Sequence, residues 1–353
     1  MASAKKLLID ALLLPLRVAS VFTMEKAFGN PVIGSRLLNV CGLHAFRMIL
    51  AQIVYHGKQG LLSFLATAEE RRLFAAQGYL IKENFLPEEE FAELRRQIVA
   101  YDGPARDMVE GDTLTRRLHV TEREIRRFPA FAKLLGNRHF SRLIRYTSAR
   151  NEIPRAFVEC LFHGTQSAGD DPQKDLHKDT FHPTVKAWLY LDDVGPHNGP
   201  FVYVPGSHRL TWRRLHWEYR QSVARSSGGR GGRSYSLGGA FRVAAEDAEF
   251  LGLPEPVSLP VARNTLVIAD TLGFHKRGTG DDGASRMAIF FTSRVNPFNP
   301  FPGINNAVLR RVNDWLYTQF LQSADRKAAK CGTRAESTPV HGPLREAEAD
   351  CPR

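Results

Sequence analysis

Cysteine is scarce in this chain, which has four cysteines in 353 residues. They lie far apart, at Cys41, Cys160, Cys331 and Cys351. No two of them form a C-x-x-C pair, so the sequence excludes both a disulfide framework and a zinc knuckle. A reducing compartment suits such a chain, and we expect a cytoplasmic protein.

Long uninterrupted apolar runs are also missing. Two apolar stretches near the N-terminus are each broken, by Asp10, Pro15 and Arg17 in residues 7–22 and by His44 and Arg47 in residues 37–54. Neither stretch is long and apolar enough to span a bilayer. The first also lacks the small-residue cleavage site of a secretory signal. At the helical period their polar residues share one face, so both stretches indicate amphipathic helices.

Acidic residues are fewer than basic ones, 37 against 48, which leaves a net charge of +11. That surplus favours anionic partners such as phosphorylated substrates, acidic lipid surfaces or nucleic acid, without choosing among them. In residues 1–65 seven Lys and Arg residues stand against two acids. We interpret residues 1–65 as a basic amphipathic helical extension, which either binds peripherally to membranes or packs as a cap on the next domain.

The remaining composition is that of an ordinary globular protein, with 43% hydrophobic and 24% charged residues. It excludes disordered, fibrous and polytopic membrane classes. The length suits one large domain with appendages, which we place at residues 66–323. Residues 324–353 are charged, contain proline and have no aromatic residue. This texture predicts a disordered tail.

Within the large domain, predicted helices come first and predicted strands follow. Helices are indicated at residues 67–77, after Leu86, and after Thr121, where Glu124 completes a capping box. Short runs rich in Val, Phe, Tyr and Ile predict strands at residues 155–163, 185–192, 200–204, 265–269 and 286–294. A last helix is predicted at residues 306–322. Helices followed by closely spaced strands predict an α+β fold around a β core.

A His-x-Asp pair at His177 and Asp179 carries the clearest chemistry. Side chains at i and i+2 of an extended segment project to the same face, so both can reach one metal ion. A predicted strand later runs into a turn that displays His275. Two histidines and one carboxylate on one face match the ligand set of non-haem Fe(II) oxygenases. His182 is the alternative ligand, and we interpret the other histidines of this region as core, supporting or surface residues.

The order of these motifs resembles the phytanoyl-CoA dioxygenase family. Arg286 follows His275 by eleven residues and opens the next predicted strand. Further similarity lies in residues 77–81 (QGYLI), 85–87 (FLP), 198–201 (NGPF) and 204–208 (VPGSH). The resemblance covers about residues 67–300 and implies a double-stranded β-helix, or jelly roll, with the metal at one open end.

The resemblance also implies the roles of the site residues. His177, Asp179 and His275 would hold Fe(II), with 2-oxoglutarate and O2 as cosubstrates, and Arg286 would bind the distal carboxylate of 2-oxoglutarate. Ser285 either packs in its strand or lies near the cosubstrate. The carboxylate of Asp179 implies hydroxylation rather than halogenation. The hydroxyl that the family carries two residues after the distal histidine is replaced by Arg277.

The segment after Pro205 contains seven arginines between residues 209 and 233, with Glu218 as its acid. We expect it to form a lid in which Trp212, Arg213 and Arg214 contact an anionic, amphipathic or lipid-like small molecule. Two other functions remain open. The glycine and arginine residues of 226–235 suit a nucleic-acid-binding protein, and the ligand set also suits a metal-binding jelly roll without catalysis.

Overall fold

The computed structural model describes residues 15–164, 171–226, 238–331 and 337–346. Its helices are α1 (Arg36–Val40), α2 (Leu43–Leu61), α3 (Ala68–Gln77), α4 (Glu88–Val99), α5 (Glu122–Arg127), α6 (Pro129–Gly136), α7 (Arg138–Thr147), α8 (Trp212–Ser226), α9 (Ala245–Leu251) and α10 (Ala307–Cys331). Among these residues no helix is both long and apolar enough to cross a membrane.

The strands form two antiparallel sheets. They are β1 (Tyr79–Lys82), β2 (Asp102–Glu110), β3 (Thr113–Val120), β4 (Arg155–His163), β5 (Val185–Tyr190), β6 (Phe201–Tyr203), β7 (Val257–Leu259), β8 (Leu266–Asp270), β9 (His275–Arg277), β10 (Ser285–Ser293) and β11 (Thr338–Pro343). The large sheet has the order β1-β8-β5-β10-β4-β3-β2-β11, and the small sheet has the order β7-β6-β9.

The two faces of the large sheet are covered differently. On one face Met287, Ile289 and Phe291 of β10 pack in a core with helix residues such as Leu94 and Phe131. On the other face a second core lies between the sheets. It contains Tyr190 and Val267 from the large sheet and Phe201, Tyr203 and Leu259 from the small one. Two antiparallel sheets that face each other across a core, with helices outside, confirm the predicted α+β class and the double-stranded β-helix.

The local signals of the sequence are confirmed where they were strong. Thr67 accepts a hydrogen bond from the backbone of Glu70, whose side chain accepts one from the backbone of Thr67, and Thr121 and Glu124 form a second capping box. The predicted strands at 155–163 and 286–294 are β4 and β10, displaced by no more than one residue. The sequence analysis missed the hairpin of β2 and β3, which extends the large sheet beyond β4.

The prediction of a disordered tail from residue 324 is wrong over the described part of that tail. Helix α10 continues to Cys331, and β11 pairs with β2 so that Pro339 lies opposite Arg106. Arg106 also donates two hydrogen bonds to Asp325, at 2.6 and 3.0 Å. The charged composition that suggested disorder thus supplies ion pairs, and the strand covers an exposed sheet edge. Residues 332–336 and 347–353 lie outside the described residues.

The described part of residues 1–65 packs against helices and a loop of the large domain. The Nε2 atom of His44 lies 3.0 Å from a carboxylate oxygen of Glu218 in α8. The guanidinium of Arg47 stacks over Phe181, 4.0 Å from its ring centre. Tyr55 donates to the carbonyl of Thr147 at 2.5 Å. This inward face of α2 therefore caps the domain, as one of the two sequence-based interpretations expected.

A buried ionic cluster lies beneath this cap. Glu218 accepts hydrogen bonds from Lys178 at 2.6 Å and from Arg214 at 3.0 Å, in addition to its contact with His44. Burial alone would raise the pKa of Glu218, but the cations of Lys178 and Arg214 outweigh burial and hold that pKa below its usual value. The cluster joins the N-terminal extension, α8 and the segment that carries His177 and Asp179.

We predict that Glu218→Gln destabilises the protein strongly, because it leaves two buried cations without their carboxylate. The free energy of unfolding should fall by about 3 kcal/mol or more, as expected when one partner of a buried ion pair is removed. Urea unfolding measures the change. Glu93→Gln is the matched control, since Glu93 pairs with Arg96 on the exposed surface, and it should leave the unfolding midpoint in place. Equal effects of the two substitutions would contradict this account.

Candidate metal centre

A backbone bridge brings the two histidines of the predicted site together. The amide of His177 donates to the carbonyl of His275 at 3.0 Å, and the amide of His275 donates to the carbonyl of His177 at 2.9 Å. The amide of Asp179 bonds to the carbonyl of Thr271 at 3.1 Å. The segment of the His-x-Asp pair is thereby fixed alongside the turn that leads into β9.

The three predicted ligand side chains converge on one point. One ligand atom from each of His177, Asp179 and His275 lies within 4.8 Å of the other two. The Oδ1 atom of Asp179 lies 3.9 Å from Nε2 of His177 and 3.8 Å from Nε2 of His275. These spacings suit ligands around a single metal ion. His182 lies outside this group, and its Nδ1 atom contacts the carbonyl of Pro183 at 3.0 Å.

The tautomers of the two histidines fit metal binding. Nδ1 of His177 lies 2.8 Å from the carbonyl of Asp175, and Nδ1 of His275 lies 2.9 Å from the carbonyl of Gly273. A carbonyl can only accept, so each Nδ1 carries the proton and each Nε2 presents a lone pair. Both Nε2 atoms are buried and have no hydrogen-bond partner among the described residues. The residues present therefore fit an Fe(II) ion, with the supporting carbonyl contacts that ligating histidines usually make.

The ionisation states also suit a cation. Burial lowers the pKa of both His177 and His275, which keeps their rings neutral. Burial would raise the pKa of Asp179, but the ammonium of Lys186 opposes burial, and that pKa lies well below its usual range. Neutral imidazoles and an ionised carboxylate are the forms that bind metal.

Two lysines that the sequence analysis did not single out hold Asp179 in place. The Nζ atom of Lys186 lies 2.8 Å from Oδ2 of Asp179, which leaves Oδ1 toward the histidines. Lys26 donates to the backbone carbonyl of Asp179 at 2.6 Å. Lys186 could have been found from the sequence. It lies two residues before Trp188 in the predicted strand 185–192, so the two side chains share the face that points to the interior. Nothing in the sequence pattern pointed to Lys26.

Arg286 lies on the inner face of the large sheet. It alternates with Met287, which packs in the outer core, and its guanidinium lies 5.6 Å from the ring centre of Tyr190. Its Nε atom is buried and has no hydrogen-bond partner among the described residues. Ser285 is exposed and shares the opposite face with Met287. The structure thus does not bring Ser285 to the face that carries Arg286.

His163 at the end of β4 is a further interior residue near Arg286. Burial and the cations of Arg277 and Arg286 lower the pKa of His163 to about 4, so the ring is neutral. Both of its ring nitrogens are buried and have no hydrogen-bond partner in the described part of the chain. It fits closely against Gly199, where a Cβ atom would lie 2.3 Å from its Nε2. The sequence analysis interprets His163 as a core, supporting or surface histidine. It cannot place His163 beside Arg286, because the neighbours of His163 come from distant segments.

Arg277, which replaces the hydroxyl of the resembled family, is fully engaged elsewhere. Its guanidinium donates to Asp171 at 2.7 Å and lies 3.6 Å from Glu110. These two acids neutralise it and direct it toward the β2–β3 hairpin. Arg277 therefore forms structural ion pairs with Asp171 and Glu110 in this protein.

The expected lid is helix α8, and its residues divide between surface and interior. Trp212 is 86% exposed and Arg213 is exposed. Arg214 is buried and donates to Glu218 and to the carbonyls of Ser207 and Leu272, at 3.0, 2.7 and 2.9 Å. The expectation that Arg214 contacts substrate is wrong, because its guanidinium is held by three partners in the core. Most of the glycine-rich segment lies at residues 227–237, outside the described residues.

Comparison with known protein families gives one match within the domain. Residues 74–225 match the family model described as Phytanoyl-CoA dioxygenase (PhyH). This match contains His177 and Asp179, whereas His275 and Arg286 follow it. No curated protein matched the whole sequence in a separate comparison.

The solved structures that match this chain include three proteins of low sequence identity. The 2-oxoglutarate-dependent carbocyclase SnoK from nogalamycin biosynthesis is 17% identical, with a TM-score of 0.41 over 64% of this chain and 83% of that chain. HygX from Streptomyces hygroscopicus, with nickel, 2-oxoglutarate and hygromycin B bound, is 17% identical, with a TM-score of 0.40 over 64% of this chain and 86% of its own. AviO1 from Streptomyces viridochromogenes Tue57 is 19% identical, with a TM-score of 0.39 over 65% and 94%.

The family match and the converging triad are independent findings that agree. One comes from residues 74–225 as a sequence. The other comes from the folded positions of His177, Asp179 and His275. Residues 74–225 thus match the phytanoyl-CoA dioxygenase family, and the converging triad has the ligand set of an Fe(II)- and 2-oxoglutarate-dependent oxygenase.

Proposed function

We propose that this oxygenase hydroxylates an unactivated C–H bond of an anionic, amphipathic or lipid-like small molecule. The observation that carries the proposal is the converging triad together with the cations that surround it. The triad supports the reaction class, and the cations support the charge of the substrate. The screen that tests it is anaerobic loading with Fe(II), then turnover with 2-oxoglutarate, O2 and a lipid extract. A product heavier by one oxygen atom is expected.

The three ligands have distinct tasks in this proposal. His177 and His275 supply neutral nitrogen donors, and Asp179 supplies one carboxylate oxygen while Lys186 holds the other. When bound, Fe(II) activates O2 and couples the decarboxylation of 2-oxoglutarate to substrate oxidation. Because Asp179 occupies the third protein position, we infer hydroxylation rather than halogenation.

Arg286 is our candidate for the distal carboxylate of 2-oxoglutarate. A guanidinium can make two parallel hydrogen bonds to a carboxylate, a geometry that lysine cannot reproduce. Arg277 is a poor candidate because Asp171 and Glu110 already neutralise it. We place the neutral imidazole of His163 as a second polar contact, in the role of the missing hydroxyl, since it lies near Arg286 with both nitrogens available.

Several cations near Asp179 support an anionic substrate. Burial, together with the charges of Arg294, Lys186 and Arg242, lowers the pKa of Lys26 to about 8 against the opposing effect of Asp179. These cations come from four segments of the chain, so the fold collects positive charge beside the triad. Lys26 uses one of its three N–H donors on the carbonyl of Asp179. We propose that another donor meets a phosphate or carboxylate of the substrate.

We expect His177→Ala, Asp179→Ala and His275→Ala each to abolish Fe(II) binding and iron-dependent decarboxylation of 2-oxoglutarate. Each substitution removes one of three protein ligands. Calorimetric titration with Fe(II) under anaerobic conditions measures binding directly. His182→Asn is the control, because His182 is buried yet lies outside the triad, and it should retain the iron affinity of the unchanged protein. Tight iron binding by any of the three alanine variants would refute the ligand assignment.

Arg286→Ala should raise the apparent Michaelis constant for 2-oxoglutarate by about tenfold or more. This is the loss of affinity expected when a charge-assisted hydrogen-bonded pair is removed. Iron affinity should stay the same, since Arg286 is not a ligand. Arg286→Lys should recover little, and His163→Ala should have a smaller effect. Steady-state decarboxylation at varied 2-oxoglutarate gives the constants. If the constant is unchanged in Arg286→Ala, the carboxylate is bound elsewhere.

Lys26→Met should slow turnover of the anionic substrate while uncoupled 2-oxoglutarate decarboxylation continues. Methionine keeps the length of the side chain but removes its charge. Comparison of product formation with succinate release separates the two activities. Lys58→Met is the matched control, because Lys58 is also a buried lysine of the N-terminal extension but is not among the charges near Asp179. If substrate turnover and uncoupled 2-oxoglutarate decarboxylation fell equally in Lys26→Met, Lys26 would support the metal site and would not bind the substrate.

A further inference from the structure

A row of aromatic side chains leads from the candidate metal ligands along the inner face of the large sheet. Measured between ring centres, Phe201 of the small sheet lies 5.7 Å from His275 and 4.8 Å from Trp188. Phe290 lies 5.7 Å from Trp188, and Phe157 lies 6.0 Å from Phe290. We call Phe201, Trp188, Phe290 and Phe157 the aromatic row. It forms a continuous apolar surface that begins at the triad.

The strand register explains the direction of this row. Trp188 of β5 lies opposite Phe290 of β10, and Phe290 lies opposite Phe157 of β4 on its other side. Phe157 in turn lies opposite His119 of β3. Neighbouring strands are about 4.8 Å apart, so the three steps from Trp188 to His119 span about 14 Å. The row therefore connects the strand that carries Lys186 with the hairpin of β2 and β3.

The aromatic row ends at a cavity between α10 and the strands β2, β3 and β11. The volume of this cavity is about 480 Å³, a size typical of small-molecule sites. The apolar part of its lining comes from Met108, Phe157, Tyr317, Phe320 and Leu321. The ring of Tyr317 lies 6.0 Å from that of Phe157, so α10 covers the end of the row. We call this cavity the distal pocket.

The charges of the distal pocket favour an apolar occupant. Each arginine of its lining pairs with an acid: Arg106 with Asp325, Arg117 with Glu159 and Arg123 with Glu124. Because these cations are matched by acids, the pocket has no surplus positive charge for an anionic group. The cations near Asp179, Lys26 among them, lie instead at the other end of the row. An amphipathic molecule with its anionic end near Lys26 would thus place its apolar part along the row.

We propose that the distal pocket binds the far end of the apolar part of the substrate, and that the aromatic row binds the portion between this end and the reacting carbon. The continuity of the row with His275 commits the pocket to the enzyme's own substrate. Phe157 and Phe290 are 6% and 7% exposed, so the surface of another macromolecule cannot lie along them. The inference rests on the proposed function and adds that the apolar part of the substrate is elongated.

Binding of alkyl phosphates tests the proposal without turnover. The probes are octyl phosphate and dodecyl phosphate, below the concentrations at which they form micelles. They are titrated by calorimetry into the full chain loaded with Fe(II) and 2-oxoglutarate in the absence of O2. Thr318→Trp fills the distal pocket from α10, and Leu321→Glu places a charge in its apolar lining. Ser323→Trp is the matched control, since Ser323 is exposed on the same helix and does not line the pocket.

We expect the unchanged protein to bind dodecyl phosphate more tightly than octyl phosphate by about tenfold or more, because each buried methylene group adds about fourfold in affinity. Thr318→Trp should remove this difference, and Leu321→Glu should weaken dodecyl phosphate binding by about tenfold. Ser323→Trp should bind both probes like the unchanged protein. The affinity for octyl phosphate, whose chain is shorter than the row, should be the same in all variants, which shows that they fold.

Three results would overturn the proposal. Equal affinities of the unchanged protein for the two probes would show that no elongated apolar part is bound. Dodecyl phosphate binding that persists in Thr318→Trp, or falls equally in Ser323→Trp, would place the chain outside the distal pocket. A loss of octyl phosphate binding in Thr318→Trp equal to that of dodecyl phosphate would show that the pocket does not hold the far end of the chain.

The same measurements separate this inference from the proposed function. Chain-length-dependent binding that Thr318→Trp abolishes supports the distal pocket whether or not turnover occurs. If such binding were found and no oxygenated product came from the lipid extract, the result would count against the proposed reaction and not against the pocket.

Discussion

The two backbone hydrogen bonds between His177 and His275 are the contact on which the reaction site depends. Residues paired in this way across an antiparallel bridge have Cα atoms about 5.5 Å apart, with side chains on the same side. The bridge therefore sets the distance between two ligands that are far apart in sequence. Asp179 follows at the i+2 position and is fixed by its own bond to Thr271. The small sheet, which ends in β9, positions the turn that makes this bridge possible.

Electrostatic interactions with protein side chains stabilise the buried carboxylate of Asp179 beside the two histidines. A buried carboxylate needs a partner, and Lys186 supplies one to the oxygen of Asp179 that does not face the histidines. The same principle operates a few residues away, where Glu218 pairs with both Lys178 and Arg214. Two neighbouring segments thus bury charge in compensated groups, and this explains why Arg214 is part of the core rather than of a substrate-binding lid.

The N-terminal extension fills one of the two roles that the sequence left as alternatives. Its inner side is a cap, since Lys26, His44 and Arg47 all contact the segment of the reaction site or the cluster beneath it. The polar residues on the inner side of α2 can be buried because they find partners in the domain.

The sequence by itself determined the features that depend on neighbouring residues. The helix start at Thr67, the capping box at Thr121, the strand β4 and the His-x-Asp pair could all be predicted, because residues a few positions apart decide helix ends and the faces of strands. The order of the His-x-Asp pair, His275 and Arg286, together with the shorter motifs before and between them, was enough to indicate a resemblance to the family. Tertiary structure decided which distant groups meet: Lys26 and Lys186 at Asp179, His163 near Arg286, and Asp325 with Arg106. Local pattern shows which face a side chain takes but not what the fold brings to that face, so the fate of Arg214 and of the C-terminal residues could not be known from it.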